Sequence, residues 1–201
     1  LRMLAAIDES MGELLLALEN SGQLDRTMIV VTGDHGYFYG EHGLSVERRL
    51  AYEEGIRIPL LVRYPALIPA GSRRNQMVLT LDFAPTFLEI AGAPVPAGLH
   101  GKSLVPLMRD GGVAWRDAVL IEHFSENVFP RTRQMGYRAL RTEGWKYIHY
   151  VDLPDSDELY DLNRDPFEMR NLIAAPGAAA ELARLREQLS RQLRATGGPE
   201  V

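Results

Sequence analysis

The run Met28-Ile29-Val30-Val31 is apolar and mostly β-branched, and it stops at Thr32-Gly33-Asp34-His35-Gly36. An unbroken apolar run of this length describes a strand covered on both faces, as in a parallel sheet. Upstream, Leu4, Ile7, Met11, Leu14, Leu15 and Leu18 recur at steps of three and four. They place one apolar stripe on a helix that ends near Gly22, so one buried face is expected. Helix followed by buried strand predicts an α/β architecture. A second strand is expected from Ile58 to Tyr64, with Pro59 near its start and Pro65 ending it. Asp82 is expected to cap a short helix through Ile90, closed by Gly92.

From about Ala93 the character changes. Pro94, Pro96, Gly98 and Gly101 punctuate the chain before the Ser103-capped segment LVPLM, which places a subdomain boundary between residues 93 and 94. Beyond it, residues 118–122, 137–142 and 146–151 read as strands, with Thr142-Glu143-Gly144 as a hairpin connection. Leu182, Leu185, Leu189 and Leu193 then form a helical stripe, and the tail ATGGPEV is expected to fray. The expected whole is an α/β portion over residues 1–93, followed over 94–201 by a linker and a small α+β subdomain with antiparallel strands and a terminal helix.

Charge and composition close off several function classes. The net charge of -5 comes from 27 acidic and 22 basic residues that are interspersed, so no basic stripe is available for a nucleic acid. The absence of Cys excludes disulfides and thiolate chemistry within these residues and leaves the redox compartment open. No apolar run approaches the roughly 20 residues that span a bilayer, so a soluble segment is expected without a membrane partner. Leu1 is not a start Met, and no basic, leader-like region precedes the helical pattern, which reads as a fragment.

Open α/β sheets bind ligands outside the carboxyl ends of their strands. That is where Asp34 and His35 stand. A carboxylate beside an imidazole, on a turn relaxed by Gly33 and Gly36, can aim both side chains at one cation. The same dipeptide also suits a turn that Asp34 begins and in which His35 makes a structural hydrogen bond. The residues alone leave both readings open.

The text around the pair is longer. TMIVVTGDHGYFYGEHGL, followed by RRLAYEEGIRIPLLVRYP, resembles the second half of the sulfatase catalytic domain, in the alkaline phosphatase superfamily. The likeness runs on through LDFAPTFLEIAG and LHGKSLVPLM into WKYIHYVDLPDSDELYDLNRDPFEMRNL, which is similar to that family's C-terminal subdomain. The fold this implies is the C-terminal part of an alkaline-phosphatase-like sandwich sheet. The function it implies is hydrolysis of a sulfate ester, with a sulfated small molecule or glycan as substrate.

In that family Asp34 and His35 would bind a divalent cation, most often Ca²⁺, acting as a Lewis acid. A His at the second position also admits Mn²⁺ or Zn²⁺, because imidazole suits those ions while Ca²⁺ prefers oxygen. It keeps phosphodiesterases and phosphonate monoester hydrolases of the same superfamily as the alternative, beside a non-catalytic remnant that binds a sulfated glycan. The resemblance also implies a sulfate-binding cation four residues before Tyr52-Glu53-Glu54. Counting back reaches Arg48; counting forward from Asp34 without a gap reaches Glu47. Arg48 is favoured, since an acidic side chain would repel the sulfate.

His42, in GEHG, is a weaker candidate that either faces the substrate or makes a structural hydrogen bond. His123 is the one other histidine expected to border a pocket. Tyr52, Glu53, Glu54 and Arg57 are expected to hold the substrate loop against the strand that follows, and Trp145 and Tyr147 to be core. The family's nucleophile, a formylglycine made from Cys or Ser in a C-x-P-x-R motif, has no counterpart here. Neither do its two early Asp ligands. Both are expected in an N-terminal part outside these residues.

Overall fold

A computed structural model describes residues 2–44, 47–125, 130 and 133–198. The chain divides into two compact units, one of residues 1–33, 59–75 and 81–113, the other of residues 34–58, 76–80 and 114–201.

In the first unit α1 spans Arg2–Asn20 and ends at Gly22, whose φ of 67° lets Gly22 and Gln23 return their N–H groups to Glu19 and Leu18. The helical reading of the stripe holds. The expected buried face does not, because α1 has no buried residue, and Met3, Leu4, Ile7 and Leu14 are exposed. Strand β1, Ile29–Thr32, pairs with β2, Leu60–Arg63, so that Val30 faces Val62. This corrects a second expectation. The pair is antiparallel and half-buried rather than parallel and covered on both sides, since an apolar run reports an appetite for burial and carries no strand direction. Arg63 ties β2 to the turn before β1 through the Leu24 carbonyl and the Asp25 carboxylate.

Helices α3, Phe83–Ile90, and α4, Val105–Arg109, complete this unit. Gly92 closes α3 with φ 67° as expected. Asp82 does not cap it. An N-cap side chain bonds the second or third amide of its helix, and the third residue here is Pro85, which has none. The Asp82 carboxylate instead accepts the Lys102 N–H at 2.8 Å. Thr86 Oγ1 donates to the Asp82 carbonyl and accepts the Leu104 N–H, which fastens the α4 approach to α3. Ser103, expected to cap the following segment, is not its N-cap: α4 has Leu104 there without a side-chain cap bond, and Ser103 Oγ accepts the N–H of Val105, the first helical residue, at 3.2 Å.

The second unit is built on a four-stranded antiparallel meander in the order β3-β4-β5-β6: Ala118–His123, Tyr137–Thr142, Trp145–Tyr150 and Glu158–Asp161. The fourth strand escaped the sequence reading, because four residues with charged ends carry little periodicity. One sheet face carries Ala118, Leu140, Tyr147 and Leu159, packed against Leu185, Leu189 and Leu193 of α5, Ala179–Thr196. That terminal helix runs through Ala195 and Thr196, two residues expected to fray, and closes at Gly197. Residues 199–201 of the tail lie outside the described residues.

The other sheet face carries Tyr137, Ala139, Ile148, Tyr150 and Tyr160, packed with Ala51 and flanked by Tyr52. The loop of residues 34–58, which includes the short helix α2, Glu53–Ile56, therefore lies on the sheet through this face. Among the described residues, no helix is long and apolar enough to cross a membrane.

Candidate functional site

The turn at Asp34 is bonded to itself. Asp34 Oδ1 accepts the His35 N–H at 3.0 Å, and Oδ2 lies 3.3 Å from His35 Nε2. His35 Nδ1 is 2.7 Å from the Gly36 carbonyl. A carbonyl only accepts, so Nδ1 carries the proton, and in the neutral ring Nε2 is left as a lone pair. A carboxylate oxygen and an imidazole nitrogen thus face the same point. The Asp34 side chain is 88% exposed. The N–H groups of Asp34 and His35 hold its carboxyl below the ordinary 3.8, helped by the charges of His35 and Arg48.

What fixes this turn is α2. Gly36 N–H donates to the Gly55 carbonyl at 2.9 Å. A Cβ on Gly36 would stand 1.9 Å from the Glu54 carbonyl oxygen. The sequence reading gave Gly36 the task of relaxing the backbone. Its φ is not in the left-handed region, and the glycine is needed for close approach instead.

Glu47 and Arg48, the two positions between which counting alone could not choose, have opposite environments. Glu47 is buried, and its Oε1 accepts from Arg48 N at 2.7 Å, Arg49 N at 2.8 Å and Arg49 NH1 at 3.2 Å. Burial pushes its carboxyl up, but these donors outweigh burial and hold it below 4.5. Arg48 is exposed, and its charge reaches Asp34. Tyr137 Oη donates to the Arg49 carbonyl at 2.8 Å, tying this segment to β4.

His42 sits at φ 53° with its ring stacked on Tyr52 at 4.0 Å and its Nε2 3.3 Å from Glu54 Oε2. Its ring is committed to packing within the loop. His123 stacks on Tyr137 at 5.5 Å, and His149 Nδ1 lies 3.0 Å from Asp157 Oδ1. Among the described residues, no group of three or more His, Asp or Glu side chains converges to hold a metal. Asp34 and His35 form a pair of donors, one oxygen and one nitrogen, and a divalent ion fits that set.

Two features of the loop's support were not read from the sequence. Tyr52, Tyr150 and Tyr160 all donate their hydroxyls to Glu158. Lys146, with no exposed surface, lies between Glu53 and Glu168 at 2.9 and 2.6 Å. A signal existed for Lys146, because strand alternation puts it on the Ile148 and Tyr150 side, where a charge demands a partner. The loop was expected to be held against the strand that follows it. Glu53 instead pairs with β4 and β5 through Arg141 and Lys146.

The family profile described as "N-sulphoglucosamine sulphohydrolase, C-terminal" matches residues 40–195. The N-acetylglucosamine-6-O-sulfatase of Bacteroides thetaiotaomicron is 40% identical over 194 residues, covering 95% of this chain and 34% of the relative. A protein solved in complex with its substrate D-glucosamine-2-N,6-O-disulfate superposes with a TM-score of 0.89 at 36% identity, over 96% of this chain and 39% of the other. The phosphonate monoester hydrolase of Silicibacter pomeroyi superposes with a TM-score of 0.84 at 28% identity, over 94% and 39%. The chain spans about a third of the length of the curated relatives it matches. Profile, relatives and superpositions agree with the order of blocks along the sequence: the chain belongs to the N-sulphoglucosamine sulphohydrolase C-terminal family of the sulfatases and has the C-terminal part of their alkaline-phosphatase-like fold.

Proposed function

We propose that the protein to which these residues belong hydrolyses a sulfate ester, and that this chain supplies part of the metal site and one sulfate-binding cation. The carrying observation is the 3.3 Å approach of Asp34 Oδ2 to His35 Nε2, with His35 Nδ1 turned to the Gly36 carbonyl. With the imidazole neutral, two lone pairs at that distance repel, and a shared cation turns the repulsion into chelation. A divalent ion held there, Ca²⁺ by resemblance or Mn²⁺ or Zn²⁺ by its donor set, would offset charge on the ester oxygens. Asp34 and His35 hold that ion, and Gly36 orients the imidazole through its carbonyl.

Arg48 grips sulfate oxygens. Its guanidinium hardly releases a proton, so it binds without serving as the acid for the leaving group. Nucleophilic attack falls to a residue outside this chain, the formylglycine that the family resemblance implies. A sulfated amino sugar is the proposed substrate class, because the structural relative at TM-score 0.89 was solved with one.

The full-length protein, loaded with Ca²⁺ or Mn²⁺, is expected to release sulfate from a 6-O-sulfated glucosamine and to lose that activity in chelator. Release of phosphate or phosphonate products in strong preference to sulfate would overturn the assignment to sulfate esters.

A further inference from the structure

We infer that Lys146 and Glu168 are positioning residues for the Asp34–His35 pair and act on it through α2. The inference rests on the metal reading above. The path consists of bonds within one unit. Glu168 is fully buried at φ 53°, a left-handed conformation that a residue with a Cβ keeps only when its surroundings impose it. Its Oε2 accepts the Glu53 N–H at 2.7 Å, while its Oε1 lies 2.6 Å from Lys146 Nζ. Lys146 holds the Glu53 side chain at 2.9 Å, and Arg141 holds its other oxygen at 3.3 Å.

Glu53 is the first residue of α2, whose N-cap, Tyr52, makes no side-chain cap bond. A carboxylate more than a hundred residues away therefore caps this helix in place of a local side chain. From α2 the path continues without a gap. The Gly55 carbonyl accepts the Gly36 N–H, the Glu54 carbonyl fills the space beside Gly36, and the Gly36 carbonyl orients His35 Nδ1.

Stability alone is a poor account of such a cluster. A buried ion pair seldom exceeds well-packed apolar side chains in net stabilisation, because desolvating the charges offsets most of their attraction. What charged partners add is direction, since Glu168 Oε2 accepts the Glu53 N–H while the other carboxylate oxygens each face a cation. The cluster fixes where α2 begins, and so where the Gly36 amide and the His35 ring must sit. The groups that orient a metal-binding histidine commonly shift metal affinity 10- to 100-fold when removed.

The test is Mn²⁺ titration of the full-length apoprotein, with melting temperature measured on the same samples. Glu168→Ala and Lys146→Met are expected to bind Mn²⁺ about 10- to 100-fold more weakly than the parent. Leu189→Ala, on the opposite sheet face, is expected to lower the melting temperature and leave the affinity unchanged. Glu168→Gln, which keeps the acceptor for the Glu53 N–H, is expected to fall between and serves if Glu168→Ala does not fold. Affinity lost in Asp34→Ala but kept in the Glu168 and Lys146 variants would overturn this inference alone. So would a loss that Leu189→Ala shares. A parent protein that binds no Mn²⁺, or binds it equally after Asp34→Ala, would overturn it together with the metal reading.

Discussion

Asp34 Oδ2 stands 3.3 Å from His35 Nε2, and the other ring nitrogen, Nδ1, is turned to the Gly36 carbonyl at 2.7 Å. The two side chains therefore meet as donors to a third body. Asp34→Ala is expected to strip the metal from the intact protein, since one of the two donors this chain provides disappears. Elemental analysis showing unchanged metal content would refute the assignment. His35→Asn replaces nitrogen by oxygen, so the metal should stay while preference moves from Mn²⁺ or Zn²⁺ toward Ca²⁺. Competition between the ions reads this directly.

Arg48 and Glu47 separate binding from stability. Arg48 is exposed, so Arg48→Ala should leave the melting temperature within about 1 °C of the parent, as surface substitutions usually do. It should raise KM for the sulfated substrate about 10- to 100-fold, matching about 1.5–3 kcal/mol for a hydrogen bond to a charged group. Glu47 plays a different part, because its Oε1 accepts the Arg48 and Arg49 N–H groups. Glu47→Ala should cost about 1–3 kcal/mol in chemical denaturation through donors left without partners. A large KM effect from Glu47→Ala at unchanged stability would move the sulfate contact to Glu47.

Gly36 and Gly12 predict opposite signs for the same substitution. A Cβ at Gly36 would lie 1.9 Å from the Glu54 carbonyl oxygen, which is backbone and cannot swing aside. Gly36→Ala should cost about 3 kcal/mol, the upper range for overpacking, and should weaken metal binding as the turn lifts from α2. At Gly12, inside α1, an added Cβ meets nothing within 4 Å. Gly12→Ala should stabilise by about 0.5–1 kcal/mol through helix propensity. Thermal denaturation of the two variants beside the parent checks both.

The elements most legible in the sequence are those whose partners are local. The hairpin through Glu143 and Gly144 and the Leu185, Leu189, Leu193 stripe of α5 follow from periodicity alone. Features set by distant partners were not legible. The capping of α2 by Glu168 joins residues 115 apart. The direction of β1 depends on a strand some 30 residues away, and the exposure of α1 depends on what the rest of the chain offers to cover it. For the site, TGDHG was legible as a carboxylate beside an imidazole on a glycine-flanked turn. Only the structure shows that Gly36 acts by close approach and that His42 spends its ring on Tyr52.

Acid should weaken both the loop of residues 34–58 and the sheet it lies on. Glu47, Glu53 and Asp157 are all partly or fully buried, and burial by itself would raise their acid constants. Hydrogen-bond donors and cations reverse the sign: the Arg48 and Arg49 amides for Glu47, Lys146 for Glu53, Tyr147 and His149 for Asp157. A carboxyl held below its unfolded value adds stability that is present above that value and is lost as pH falls through the folded one. The window therefore opens below 4.5 for the two glutamates and below 3.8 for Asp157. Each contributes on the order of 1–3 kcal/mol if its bonds behave as ordinary charged hydrogen bonds. Tyr147 contributes on the alkaline side, beside Tyr52, Tyr137, Tyr150 and Tyr160, which burial also pushes up. Burial and its bond to Asp157 push the phenol up to about 12, so its contribution is present below 10 and declines between 10 and about 12. Denaturant titrations across pH should show the acid limb flatten in Glu47→Gln, which no longer titrates there. An unchanged acid limb in that variant would mean that Glu47 does not carry its part of the acid sensitivity.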